Sequence, residues 1–231
     1  MTPSDPAAVC RRLERSYGLD GSLVPALRGV NLTLARGSIT ALVGPSGSGK
    51  STLLRLLACI DRPDSGEIFI DGTEVSGLSR AGRVKLRRDK LGFLYQTPAD
   101  NLLEYLTVRE HLELGAGLRG LGKRDPQINA LLDRLGLTDR ADHLPRHLSG
   151  GEQQRTAIAF AAIGPPALLV ADEPTGQLDH GTAEEVLAAL RVLATTGVAV
   201  VAATHDPAVA KQADQVVQLR DGAVVEEEMW H

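Results

Sequence analysis

The stretch Gly44-Pro45-Ser46-Gly47-Ser48-Gly49-Lys50-Ser51-Thr52 constrains this chain more than any other, because it has the form G-x-x-x-x-G-K-[ST]. Gly44, Gly47 and Gly49 let the backbone turn tightly, so that consecutive N–H groups converge on one anion. Lys50 is placed to reach the β- and γ-phosphates of a nucleotide as a point charge, and the Ser51 hydroxyl to face a Mg²⁺ ion. Such a loop works only between a buried strand and a helix. Ile39-Thr40-Ala41-Leu42-Val43 is a short apolar run of strand formers, and Leu53, Leu54, Leu56 and Leu57 recur at helical spacing after Ser51. The N-terminus of that helix adds its partial positive charge to the phosphate site. A Gly/Ser-rich linker could match the glycines by chance, but not the Lys-Ser pair between such a strand and such a helix.

At 231 residues the chain makes one large domain or two small ones. Its net charge of -4 argues against a nucleic-acid partner held by bulk electrostatics. Cys10 and Cys59 have neither metal-ligand spacing nor a disulfide framework, which fits a reducing compartment. No signal peptide is expected, and no run reaches the ~18 apolar residues of a membrane span. The closest approach, 156–171, is interrupted by Gly164-Pro165-Pro166. Work at a membrane is therefore expected only through a partner that holds the chain there.

Residues 1–36 read as short strands, 9–15 and 27–34, with a Gly18-Leu19-Asp20-Gly21 turn between them. Beyond the phosphate loop and its helix, a turn at 62–66 feeds a strand at 67–70. The basic stretch 80–90 (Arg80, Arg83, Lys85, Arg87, Arg88, Lys90) reads as a solvated helix face, and 91–95 as another buried-type strand ending at Gln96. Between about 97 and 155 strand signals vanish and helical ones dominate, at 107–118 and 126–135, which predicts a helical insert. From Ala167 strands and helices alternate. The runs 167–171 and 198–203 are typical of parallel strands covered on both faces, and 215–219 and 223–225 close the chain.

Asp172-Glu173 close the strand 167–171, where two adjacent carboxylates cost desolvation and repulsion unless something positive or protic uses them. Asp172 is placed to support Mg²⁺, and Glu173 to polarise a water for in-line attack on a γ-phosphate. In Leu148-Ser149-Gly150-Gly151-Glu152-Gln153-Gln154-Arg155, the Ser-Gly-Gly before an apolar helix makes a second anion-type helix N-terminus. Two such ends with one nucleotide loop point to service of another subunit's nucleotide. His205 follows the strand 198–203, at the sheet edge where ligands bind in open α/β folds, and is placed for a γ-phosphate contact. His111, His143, His147, His180 and His231 are assigned no role.

With the loop 44–52, Gln96, the stretch 148–155, Asp172-Glu173, Asp179 and His205 in this order, the chain resembles an ABC transporter ATP-binding subunit over nearly its whole length. The resemblance implies a P-loop α/β core with a mainly parallel sheet, an N-terminal antiparallel β part and a helical insert. One domain spans 1–231, with 1–96 and 156–231 as nucleotide-binding core and 97–155 as helical subdomain. It implies ATP and Mg²⁺ as cofactors. Tyr17 then takes the adenine-stacking position, Gln96 senses Mg²⁺ and the attacking water, and Ser149, Gly150 and Gly151 form the signature that contacts the ATP of the other subunit. Asp179 becomes the interface aspartate and His205 the switch histidine. Two copies close head to tail on two ATP molecules. They drive a separate membrane permease that docks near the Gln96 loop and the insert, which puts the chain at the cytoplasmic face of the membrane.

The segment Asp100-Asn101-Leu102-Leu103…Leu106-Thr107-Val108-Arg109-Glu110 resembles the branch serving lipoprotein release, macrolide or peptide export and the cell-division complex. The short stretch after the last strands is expected to leave no room for the regulatory domain of sugar-importer ATPases. A longer 96–102 segment, Glu104, His111, Gln177 and Cys59 depart from that branch. The leading expectation is an ATPase coupled to an exporter-type permease. The alternatives are a regulatory ATPase acting through a transporter-like partner without transport, and a soluble ABC ATPase working on DNA or ribosomes. Soluble versions usually carry a second nucleotide domain, a coiled-coil insertion or zinc-binding cysteine pairs, none of which is found here.

Overall fold

Strands with apolar side chains on both faces must be covered from both sides, and the chain supplies two different covers. The computed structural model describes residues 5–19 and 22–229. β1 (Ala8–Leu19) and β2 (Ser22–Leu34) pair as an antiparallel hairpin, extended by β4 (Ser65–Ile70) and β5 (Thr73–Glu74) into a four-stranded sheet ordered β2-β1-β4-β5. Between them in sequence, β3 (Ile39–Val43) enters a second sheet, with β6 (Leu91–Leu94), β7 (Leu168–Asp172), β8 (Ala199–Ala203), β9 (Gln215–Arg220) and β10 (Ala223–Met229). Its order is β10-β9-β3-β8-β7-β6. Every pairing is parallel except that of β10 with β9.

The strand period of two sorts the central side chains into two apolar clusters. Leu42, Leu168, Val170, Val201 and Ala203 join the antiparallel sheet and the four leucines of α1 (Lys50–Leu57), namely Leu53, Leu54, Leu56 and Leu57. Each such leucine contributes roughly 1.5–3 kcal/mol by burial. Ala41, Leu169, Ala171, Val200 and Ala202 point the other way, onto Val186, Ala189, Leu190 and Leu193 of α6 (His180–Thr195). These residues of α6 make up one buried apolar face of that helix.

Among the described residues no strand lies between β6 and β7. The segment forms α3 (Val108–Leu118), α4 (Pro126–Arg134) and α5 (Gly150–Ala162), joined by short 3₁₀ turns. Their starts are written in the sequence. Thr107 with Glu110 and Ser149 with Glu152 make capping boxes, and Asp125 caps α4 with Pro126 behind it. The apolar cluster runs from Leu112 and Ile128 through Ile158 to Leu169, so this helical part and the sheet share one core. α5 passes residue 155 without a break, which makes the junction a helix rather than a linker.

Several elements extend beyond their sequence pattern. β1 reaches Leu19 through register shifts, which places Tyr17 within a strand, while the turn residues Asp20 and Gly21 lie outside the described residues. β4 starts at Ser65 inside the expected turn, because Ser65 pairs with Glu14. The basic stretch is α2 (Arg80–Lys90), which buries no residue, although Arg87 donates to the Cys59 carbonyl at 2.8 Å beyond the end of α1.

Candidate nucleotide-binding site

The loop 44–49 leaves β3 and enters α1 under tight steric constraint. Gly44 (φ 146°), Gly47 (φ 79°) and Gly49 (φ 104°) all adopt conformations that other residues rarely take. A Cβ on Gly44 would lie 2.1 Å from the Leu219 carbonyl, and one on Gly49 2.5 Å from that of Ala26. As the N-cap of α1, Gly49 offers no side-chain bond to the first-turn amides, which are left for an anion. Lys50 Nζ donates to the carbonyls of Gly44 at 2.7 Å and Pro45 at 3.0 Å, so its position over the loop is set. An ammonium has three donors, and one remains. The buried Ser48 hydroxyl has no hydrogen-bond partner among the described residues, as expected of a group built for an oxygen-rich ligand.

Asp172, at the end of β7, has its carboxyl pKa raised by burial first and by the Glu173 charge second, while a Ser51 hydrogen bond and the Lys50 charge oppose the shift. A hydroxyl and a carboxylate beside the phosphate loop are the hard oxygen donors that suit Mg²⁺. No group of three His, Cys, Asp or Glu able to hold a metal occurs among the described residues.

Glu173 has a left-handed backbone, φ 48°, at a cost of roughly 1–2 kcal/mol. Its N–H donates to the Ala203 carbonyl at 2.9 Å, which fixes the turn across β8. Its carboxylate accepts from His205 Nδ1 at 2.9 Å and from the His205 N–H at 3.3 Å. That hydrogen bond, and then the carboxylate charge, raises the His205 pKa above its ordinary value. The Thr204 N–H donates to the Leu42 carbonyl at 3.0 Å, so β8 carries His205 to the same sheet edge as the loop.

A cavity of about 550 Å³ collects most of the sequence candidates: Tyr17, Gly44, the loop 46–52, Gln96, Asp172, Glu173 and His205. Tyr17 carries the Arg15 guanidinium 4.9 Å from its ring centroid, and its hydroxyl donates to Asp61 at 3.3 Å. Pro45 sits in the loop but not on the cavity wall. Ser149, Gly150, Gly151 and Asp179 are absent from that wall. The start of α5 instead lies against the start of α6, where a Cβ on Gly151 would come within 2.3 Å of Thr182 Cγ2. Asp179 caps α6, accepting from the Thr182 N–H at 3.1 Å and Oγ1 at 2.7 Å. Ala26 also lines the cavity, and a small apolar residue in a hairpin strand gives no sequence signal for that.

The ABC transporter family profile matches residues 27–176. The chain is 41% identical over 222 residues to the macrolide export ATP-binding/permease protein MacB of Shigella flexneri, covering 95% of this chain and 34% of that protein. To the MacB protein of Marinobacter nauticus it is 41% identical over 229 residues, covering 98% and 35%. The chain thus spans about a third of the length of these curated relatives. Among solved structures, the ATP-binding cassette MJ0796, in a dimeric post-hydrolysis state bound to ADP and Pi, matches with TM-score 0.85 and 35% identity, covering 97% of this chain and 99% of that one. The cbiO1 protein of Clostridium perfringens, part of the ABC transporter complex cbiONQ, matches with TM-score 0.87 and 30% identity, covering 98% and 89%. The chain belongs to the ABC transporter family, as an ATP-binding domain of the ATPase type.

Proposed function

We propose that two copies of this domain close head to tail on two ATP molecules and that their hydrolysis drives an exporter-type membrane permease. The observation that carries the reading is the separation of the two anion-type helix ends. The phosphate loop lines the cavity, whereas Ser149, Gly150 and Gly151 lie outside it. A second copy therefore supplies the missing donors, with Asp179 beside them at the interface. The support from outside the chain is that MJ0796 is described as dimeric with ADP and Pi bound, and that MacB is named for macrolide export.

In this reading Lys50 and the loop amides bind and orient the triphosphate while Tyr17 stacks on adenine. Ser51, Asp172 and Gln96 hold Mg²⁺, which supplies charge neutralisation at the phosphates. Glu173 accepts the proton of the attacking water, and His205 contacts the γ-phosphate and orients Glu173. Residues 1–96 and 156–231 serve as nucleotide-binding core and 97–155 as the helical subdomain. Tyr95 and Tyr105, 51% and 74% exposed, flank Gln96 and the helical part and suit a permease contact. No described helix is long and apolar enough to cross a membrane. In this reading the permease holds the domain at the cytoplasmic face.

Phosphate release by the purified chain tests this. Turnover is expected with Mg²⁺ and ATP and is expected to vanish when EDTA removes the metal. Turnover indifferent to EDTA, or none with Mg²⁺ at any protein concentration, contradicts the reading.

A further inference from the structure

Gln96 stands between β6 and α3, where no strand partner holds the backbone. One side chain bridges the backbone before and after Gln96. Asn101 Oδ1 accepts the Tyr95 N–H at 2.7 Å, and Nδ2 donates to the carbonyls of Tyr95 at 3.1 Å and Thr97 at 3.0 Å, with a longer contact to Pro98 at 3.4 Å. The amide grips the backbone on both sides of Gln96 and uses its acceptor and its donors to do so. Further on, the Leu103 N–H donates to Nε2 of the buried His111 at 2.8 Å, and Nδ1 of that ring lies 2.7 Å from the Thr107 carbonyl. A neutral imidazole protonated at Nδ1 satisfies both bonds, so the far end of the loop is pinned to α3. The 3₁₀ turn Pro98–Asn101 packs on α5, the helix whose N-terminus carries Ser149.

We propose that Asn101 is the positioning residue for Gln96: its carboxamide fixes where Gln96 enters the cavity and ties that placement to α5. The proposal rests on the reading of Gln96 as a Mg²⁺ and water contact. Asn101 is not on the cavity wall, so it acts through Gln96 and not on ATP. Without the amide, the Tyr95 N–H and carbonyl lose the partner that holds them, the Thr97 carbonyl keeps only the Asp100 N–H at 3.0 Å, and the backbone ahead of Gln96 is free to turn. A displacement of about 1 Å at a catalytic contact costs on the order of 100-fold in rate.

The test is steady-state hydrolysis and nucleotide binding by the full chain as wild type, Asn101→Ala, Gln96→Ala and the double variant. Asn101→Ala is expected to lower kcat roughly 10- to 100-fold with ATP affinity within about twofold, because the phosphate loop is untouched. In the Gln96→Ala background the same change is expected to alter kcat by less than about twofold, the mark of one shared pathway. Hydrogen exchange at the Tyr95 amide is expected to quicken in Asn101→Ala, independently of turnover. A wild-type kcat in Asn101→Ala, effects that multiply in the double variant, or unchanged Tyr95 exchange overturns the proposal. A wild-type kcat in Gln96→Ala overturns the reading of Gln96 itself, and a defect in Asn101→Ala then shows Asn101 acting by another route. Asn101→Asp keeps the acceptor for Tyr95 and loses the donors. It serves the same cycle should the alanine variant not fold, with non-additivity expected and multiplication overturning the proposal.

Discussion

Glu173→Gln is expected to lower ATP turnover roughly 10²- to 10⁴-fold, the range for losing a positioned general base, while ATP affinity stays within about twofold. Glutamine fills the same volume and keeps an oxygen that can accept from the His205 N–H, now 3.3 Å from the carboxylate. What it lacks is the ability to take a proton. Bound ATP then persists, and the closed pair of domains accumulates in sedimentation experiments instead of cycling. Near-wild-type turnover would remove Glu173 from the mechanism.

The same variant carries a pH signature. In the wild type the His205 pKa lies above its ordinary value because of Glu173, so the stabilising pair is fully present below the unfolded pKa of about 6.5 and fades as pH rises through the folded value. The imidazole is 71% exposed, so the contribution to stability is small and the titration itself is the better readout. By NMR, His205 of the wild type is expected to titrate above the value found in Glu173→Gln. Identical titration in the two proteins would mean that the pair does not form in solution.

Ser149→Arg is expected to abolish ATP-dependent dimerisation while leaving ATP binding by the isolated chain largely intact. Ser149 lies outside the chain's own cavity, so its loss does not touch the loop, Lys50 or Tyr17. Its Oγ accepts the Glu152 N–H at 3.2 Å as the N-cap of α5, which leaves its hydroxyl proton free for an incoming phosphate. Arginine puts a bulky charge there and also removes the cap, at a cost of about 1 kcal/mol. Ser149→Asp separates the two effects. Aspartate caps as well as serine but sets a negative charge against the γ-phosphate, so thermal stability is retained and dimerisation is still lost. Loss of ATP binding by the isolated Ser149→Asp chain would instead place Ser149 at its own subunit's nucleotide.

The readable parts of this chain are those whose chemistry is local. The phosphate loop announces itself because glycine, lysine and serine are required at fixed spacing, and the steric limits at Gly44 and Gly49 show why. The central strands are legible as unbroken apolar runs because both faces are buried. Capping residues mark the starts of α3 and α5. What stays hidden depends on long-range geometry. The left-handed turn at Glu173 is carried by no special residue and exists because the chain is held across β8. Ala26 reaches the cavity only through the path of the hairpin. Asn101 looks like an ordinary loop asparagine until its four partners are seen around Gln96, and His111 looks idle until Leu103 folds back onto it. The exposed charges of α2 hide a packing role in the same way, since Arg87 reaches back to the end of α1.

The central claim is that the loop binds ATP and the dimer hydrolyses it. Turnover per chain, measured at saturating Mg²⁺ and ATP across a wide range of protein concentration, tests it most directly. A shared site predicts that turnover per chain rises in proportion to concentration at the dilute end and reaches a plateau once every chain is paired. A turnover per chain that is flat from the most dilute sample upward would show one copy to be sufficient and would contradict the account.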